Sequence, residues 1–243
     1  MPVYVGEPRN FSLSRPAAVY VGANDGMLHA FNAETGRELF AYVPASLSAA
    51  DVTGSGGGLY RLTQQDYQNN HRYYVDMTPT VAEAQIDNAW RTVLVGGLGA
   101  GGRGLYALDI TNPTTFNEDS VLWEVNASQG FRLGYTFSRP VVAKLNDGRW
   151  GVIVGSGYNV TGGNAQLLIL SLEGTSRQLR AISVPGSDSL ASPTVVDLDQ
   201  NGTADRVYAG DLQGRMWAFD ISSTNPDNWR RAFQNPDTQP LFR

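Results

Sequence analysis

An all-β protein assembled from β-propeller blades is what this sequence predicts, and three observations carry the prediction. Apolar runs closing in glycine recur at Val19-Tyr20-Val21-Gly22, Val93-Leu94-Val95-Gly96, Val152-Ile153-Val154-Gly155 and Val207-Tyr208-Ala209-Gly210. Each is followed by a glycine-containing turn and a second apolar run, the pattern of a hairpin. Finally, 27 glycines and 12 prolines in 243 residues favour many turns over long helices, and 42% hydrophobic content suffices for a substantial core.

In chain order, the first hairpin joins its run to Met27-Leu28-His29-Ala30-Phe31 across the turn Asn24-Asp25-Gly26. Asn-Asp-Gly suits a tight reversal because these residues tolerate positive φ. An insertion follows, in which residues 44–52 are expected to form a short helix before the glycine-rich stretch 54–58. The second hairpin leads into Gly104-Leu105-Tyr106-Ala107-Leu108, the third into Gln166-Leu167-Leu168-Ile169-Leu170, and the fourth, through Leu212-Gln213-Gly214, into Met216-Trp217-Ala218-Phe219. Proline-led segments open the last three units: Thr78-Pro79-Thr80-Val81, Arg139-Pro140-Val141-Val142 and Ser192-Pro193-Thr194-Val195. Proline has no N–H to donate and suits the start of a strand. From proline to closing glycine the distances are 17, 15 and 17 residues, so the middle hairpin is shorter. Units of about 55 to 75 residues with about four strands each exceed the usual blade length of about 40 to 50. The excess is assigned to inserted loops. About four blades do not comfortably close a ring, so residues 1–243 are expected to be a partial β-propeller domain, a fragment of a larger ring.

Charge and composition exclude several classes of function. A net charge of -5 and a pI near 5.0 argue against a nucleic-acid or anionic-membrane binder, which needs clustered Lys and Arg. Without cysteine there is no disulfide framework, thiolate zinc site or cysteine nucleophile. No run approaches the roughly 18 apolar residues of a membrane span, and the N-terminus lacks signal-peptide character.

The segment Asp197-Leu198-Asp199-Gln200-Asn201-Gly202-Thr203-Ala204-Asp205 carries the chemistry. It places oxygen side chains at loop positions one, three, five and nine, a glycine at six for the sharp turn, and the carbonyl of Thr203 at seven. Calcium takes six to eight hard oxygen ligands, and this spacing supplies them. Tyr208 stands where a helix-loop-helix calcium hand has its glutamate, and β-branched and aromatic residues flank the loop on both sides. The loop is therefore expected at a β-hairpin tip, with Asp197, Asp199, Asn201, Thr203 and Asp205 as metal ligands. The alternative is a polar turn that binds nothing, since Asp, Asn and Gly are favoured in turns. The homologous turn Leu145-Asn146-Asp147-Gly148-Arg149-Trp150 lacks the ligand pattern, which makes the metal site an elaboration of one repeat.

Other candidates give no catalytic constellation. The run Gly96 to Gly104 lacks the Lys-Ser/Thr ending of a phosphate loop and leads into a strand, so it reads as a hairpin loop. Trp90, Trp123, Trp150, Trp217 and Trp229 read as packing aromatics. His29 is expected in the packed core and His71 in a hydrogen-bonded strand, neither with a carboxylate placed to suggest zinc. No G-x-S-x-G elbow is present, and no enzyme is expected.

Together, the stretches Val19 to Pro44, His71 to Asp76, Trp90 to Thr111 and Asp197 to Ser222 resemble the C-terminal propeller region of the PilY family, over nearly the whole chain. The resemblance implies a modified, quinoprotein-like β-propeller in a type IV pilus biogenesis factor and tip-associated adhesin. It implies a calcium loop on Asp197, Asp199, Asn201, the Thr203 carbonyl and Asp205, whose occupancy influences pilus extension and retraction. Pilins, minor pilins and host or abiotic surfaces are the implied partners, at a secreted or cell-surface, pilus-associated location on the outer membrane. Two other readings stay open: a quinoprotein-like dehydrogenase fragment, since Ala33 to Phe40 resembles a blade signature of those enzymes, and an integrin-like extracellular scaffold whose calcium is purely structural.

Overall fold

The computed structural model describes residues 1–48, 58–174, 177–233 and 240–242. Among these residues, sixteen strands form four antiparallel sheets of four, each with its strands neighbouring in chain order. The first sheet contains β1 (Val3–Val5), β2 (Ala18–Gly22), β3 (Leu28–Asn32) and β4 (Glu38–Tyr42). In the second are β5 (Thr80–Ile86), β6 (Ala89–Gly97), β7 (Gly104–Asp109) and β8 (Val121–Asn126). The third holds β9 (Val141–Lys144), β10 (Trp150–Gly155), β11 (Gln166–Ser171) and β12 (Gln178–Ser183). β13 (Thr194–Val196), β14 (Arg206–Gly210), β15 (Met216–Asp220) and β16 (Arg230–Arg231) make the fourth. Four sequential up-and-down sheets of four strands are propeller blades.

All four hairpins expected from the repeat are present, as β2–β3, β6–β7, β10–β11 and β14–β15. Pro79, Pro140 and Pro193 each stand immediately before the first residue of β5, β9 and β13, where no ladder N–H is needed. The first sheet also has an opening strand, β1, which the repeat analysis left unassigned. Its signal was in the sequence, because Pro2-Val3-Tyr4-Val5 repeats the proline-led start. The short helix expected over residues 44–52 is a single 3-10 turn at Ala45–Ser48, and residues 49–57 lie outside the described set. This turn is held in place by Glu124 of β8, which accepts from the backbone N–H of Ala45 and Ser46 and from the Tyr42 hydroxyl.

The described residues group into two compact units. One comprises Met1–Glu83, Trp90–Phe131 and Tyr135–Phe137; its core includes Tyr20, Leu28, Ala30, Leu94, Tyr106 and Leu108. Phe40 and Phe116 stack within it at 3.8 Å between ring centroids. The other comprises Ala84–Ala89, Arg132–Gly134 and Ser138–Arg243, with Ile153, Leu167, Ile169, Val207, Trp217, Phe219 and Trp229 buried together. β10 and β11 are buried almost throughout, which is why Val-Ile-Val and Leu-Leu-Ile-Leu read as continuous apolar runs without alternation. Each such side chain taken from water contributes about 1.5–3 kcal/mol. Trp217 and Trp229 are fully buried and still satisfied, donating Nε1–H to Asp211 at 2.8 Å and to the Ser223 carbonyl at 2.7 Å. No helix among the described residues is long and apolar enough to cross a membrane.

Candidate metal centre

The nine-residue loop 197–205 closes on the paired residues Val196 and Arg206, so it is the tip of the β13–β14 hairpin, as its flanking residues predicted. A turn this compact needs left-handed backbone, supplied by Gly202 at φ 88° and by Gln200 at φ 62°. Folding the chain in this way turns the alternate oxygen side chains inward. One oxygen each from Asp197, Asp199 and Asp205 lies within 4.8 Å of the others. Two ligands on one calcium ion, at 2.3–2.6 Å from it, stand at most about 5 Å apart. The three carboxylates therefore fit a single ion of that size, and an all-oxygen donor set suits a hard cation.

Local hydrogen bonds orient the set. Asp197 accepts from the backbone N–H of Gly202 at 2.7 Å and of Asn201 at 3.2 Å. Donation from Gly202, opposed by partial burial and reinforced by the N–H groups of Asn201 and Gln200, holds the Asp197 carboxyl below its ordinary pKa. Asn201 donates its side-chain amide to Asp199 at 2.9 Å, and its Oδ1 accepts from the Thr203 N–H at 2.8 Å. Asp205, at 4% exposure, accepts from the Leu198 N–H at 2.8 Å. Asp199 is exposed and Leu198, beside it, points its apolar side chain outward at 56% exposure. Among the described residues no Lys or Arg forms an ion pair with Asp197, Asp199 or Asp205. Three converging carboxylates without a protein cation repel one another, and a divalent cation relieves that repulsion.

Asn146, in the turn after β9, was not among the residues singled out from the sequence. Its amide Nδ2 lies 3.1 Å from Asp205 Oδ1, 2.8 Å from the Ala204 carbonyl and 3.2 Å from the Ile221 carbonyl. Its neighbour Asp147 is engaged elsewhere, pairing with Arg149 at 2.5 Å and leaving the turn without a free carboxylate for an ion. The reading of that turn as having lost the ligand pattern agrees with this pairing.

The two histidines differ from expectation. His29 is not packed in the core among apolar groups: Nε2 lies 2.8 Å from Asp25 and Nδ1 2.6 Å from Glu38. The expectation that no carboxylate stood near it fails because β3–β4 pairing and the β2–β3 turn bring both together around it. His71 lies outside any strand, with Nε2 3.5 Å from the amide of Asn24. The glycine run 96–104 ends β6, forms the hairpin loop at residues 98–103 and begins β7, so a hairpin is present as expected, with both ends of the run in strands. A Cβ at Gly101 would stand 1.9 Å from the Tyr74 carbonyl oxygen, so close backbone packing accounts for glycine there.

Blades and loop define a class: an all-β propeller protein carrying an acidic, oxygen-lined hairpin tip. Comparison with known proteins makes this specific. A family profile described as the PilY1 beta-propeller domain matches residues 8–243. A type IV pilus biogenesis factor PilY1 of Pseudomonas aeruginosa strain UCBPP-PA14 is 46% identical over 219 residues, covering 88% of this chain and 18% of its own length. A PilY1 homolog of Xylella fastidiosa is 42% identical over 236 residues, covering 92% of this chain and 15% of its own length. The crystal structure of the Pseudomonas aeruginosa PilY1 C-terminal domain superposes with a TM-score of 0.75 at 38% identity, covering 94% of this chain and 46% of that one. The chain belongs to the PilY1 β-propeller domain family. It spans less than a fifth of the length of these two full-length relatives.

Proposed function

We propose that residues 1–243 are part of the β-propeller domain of a type IV pilus biogenesis factor, and that loop 197–205 binds one calcium ion. Asp197, Asp199, Asn201 and Asp205 contribute side-chain oxygens and Thr203 its carbonyl, with water completing the shell. The observation that carries this reading is the convergence of three carboxylates within 4.8 Å at a hairpin tip, with no ion pair to a Lys or Arg among the described residues. The domain acts by binding rather than by catalysis, in a pilus-associated protein at the cell surface. Its partners are pilus components, pilins and minor pilins, and surfaces to which the pilus attaches.

When bound, the ion neutralises the tip from a net charge of about -3 to about -1 and stiffens it. In this reading the two states of the tip bias pilus extension against retraction, and with them twitching and attachment. A second reading has support in the bonds that tie Asp205 and Ala204 to the turn after β9: calcium serves only as a structural staple. The test is Asp199→Ala in the full-length protein, because Asp199 is exposed and least involved in folding. Calorimetry should show loss of calcium binding, and surface piliation or twitching should change at normal protein levels. Absence of calcium binding by folded wild-type protein would remove the metal reading. Lost binding with normal piliation and motility would leave the staple.

A further inference from the structure

We propose that Asn146 is a positioning residue for the ion loop, and that through it occupancy of the loop is transmitted to the turn between β9 and β10. This rests on the calcium reading. Asn146 comes from the third sheet and the loop from the fourth, yet its side chain is bonded to the loop at both of its polar atoms. The two N–H groups of Nδ2 are shared among three acceptors, the Ala204 carbonyl at 2.8 Å, Asp205 Oδ1 at 3.1 Å and the Ile221 carbonyl at 3.2 Å. Oδ1 lies 2.9 Å from the Thr203 hydroxyl, whose single proton is shared with Asn201 Oδ1 at 2.5 Å. The backbone on either side is fastened too: the Ala204 N–H donates to the Lys144 carbonyl at 2.9 Å, and Leu145 and Ala204 form a parallel bridge. Leu145 and Ala204 are buried at 0% and 3% exposure, which shields these bonds from competing water.

The chemistry requires an amide at this position. Asp205 Oδ1 has a lone pair for the Asn146 N–H and another for an ion, so the bond orients the carboxylate without blocking it. The Thr203 hydroxyl, held between Asn146 Oδ1 and Asn201 Oδ1, fixes the residue whose carbonyl is assigned to the ion. An aspartate at 146 would set a carboxylate against Asp205 Oδ1 and two carbonyls with no donor between them. An alanine would leave those acceptors unmatched. Because such outer partners orient metal ligands, their loss weakens binding by about 10- to 100-fold in known sites. The coupling runs both ways, since an ion that fixes Asp205 and Thr203 also fixes the amide bonded to them.

Calcium calorimetry on wild type, Asn146→Ala and Thr203→Val tests this, together with amide hydrogen exchange of the calcium-free and calcium-loaded wild type. Calcium should slow exchange over residues 144–149 as well as 197–205. Asn146→Ala should raise the Kd about tenfold and shrink the rise in Tm that calcium produces. Thr203→Val keeps the peptide carbonyl and removes one hydroxyl, so its Kd should rise roughly threefold. A merely structural Asn146 would lower Tm equally with and without calcium and leave the Kd at its wild-type value, which overturns the proposal. Calcium protection confined to 197–205 overturns it as well. Should Asn146→Ala not fold, the wild-type hydrogen exchange decides alone: calcium protection that reaches residues 144–149 counts in favour, and protection confined to 197–205 counts against. A folded wild-type protein that takes up no calcium overturns both this proposal and the metal reading, whereas wild-type binding with unchanged variants overturns this proposal only.

Discussion

Both ring nitrogens of His29 lie within hydrogen-bond distance of carboxylates, Asp25 on one side and Glu38 on the other. An imidazole donates from both nitrogens only when protonated. Partial burial works against the charge, but the hydrogen bonds to Glu38 and Asp25 outweigh it and raise the His29 pKa above its ordinary 6.5. A raised folded-state pKa stabilises the fold fully below the unfolded value and loses that contribution as the pH climbs through the folded one. His29→Gln should therefore cost stability below pH 6.5 and approach wild type in alkaline buffer. Because both carboxylates are partly exposed, the cost is about 1 kcal/mol or less. Urea unfolding at acidic and alkaline pH measures it, and an equal gap at both would show that His29 folds neutral. The sequence placed His29 on strand β3, which the structure shows, and in the packed core, which it does not. What it could not show is that Glu38, on the next strand, would lie against the ring.

At the scale of the element, the β13–β14 hairpin separates ligand chemistry from loop folding. Asp199 is exposed and accepts from Asn201, whereas Asp205 is buried and accepts from both Leu198 and Asn146. Removing Asp205 leaves the Leu198 N–H without its acceptor, at about 1–3 kcal/mol, while the Asn146 amide keeps the Ala204 and Ile221 carbonyls. Removing Asp199 leaves no buried group unpaired. Asp205→Ala should thus lose calcium binding and lower the calcium-free Tm, while Asp199→Ala loses binding with a Tm close to wild type. Thermal melts in chelator compare the two, and equal calcium-free losses would mean that the Asp205 bonds carry no weight. Hairpins were the most legible elements in the chain, because apolar runs and Gly turns specify them locally. β1 was missed despite its Pro2-Val3 start, since no second apolar run follows it at hairpin distance: β2 begins only at Ala18.

For the molecule as a whole, a ligand that binds the folded loop and not the unfolded chain stabilises by mass action. At a free calcium concentration 100 times the Kd the gain is about 2.7 kcal/mol in unfolding free energy. Asp147→Ala, in the turn whose carboxylate is neutralised by Arg149, should leave that gain intact. Denaturant unfolding with calcium and with chelator gives both numbers, and a gain abolished by Asp147→Ala would place the ion in the wrong repeat. The sequence by itself determined the four-sheet repeat and the five oxygen-bearing positions of the loop, because strand period, turn chemistry and ligand spacing are properties of contiguous residues. Only the tertiary structure decided that His29 bridges two carboxylates and that Asn146 buttresses a loop more than 50 residues away. Contacts between distant parts of a chain leave no periodicity to read, and they exist only once the sheets have packed.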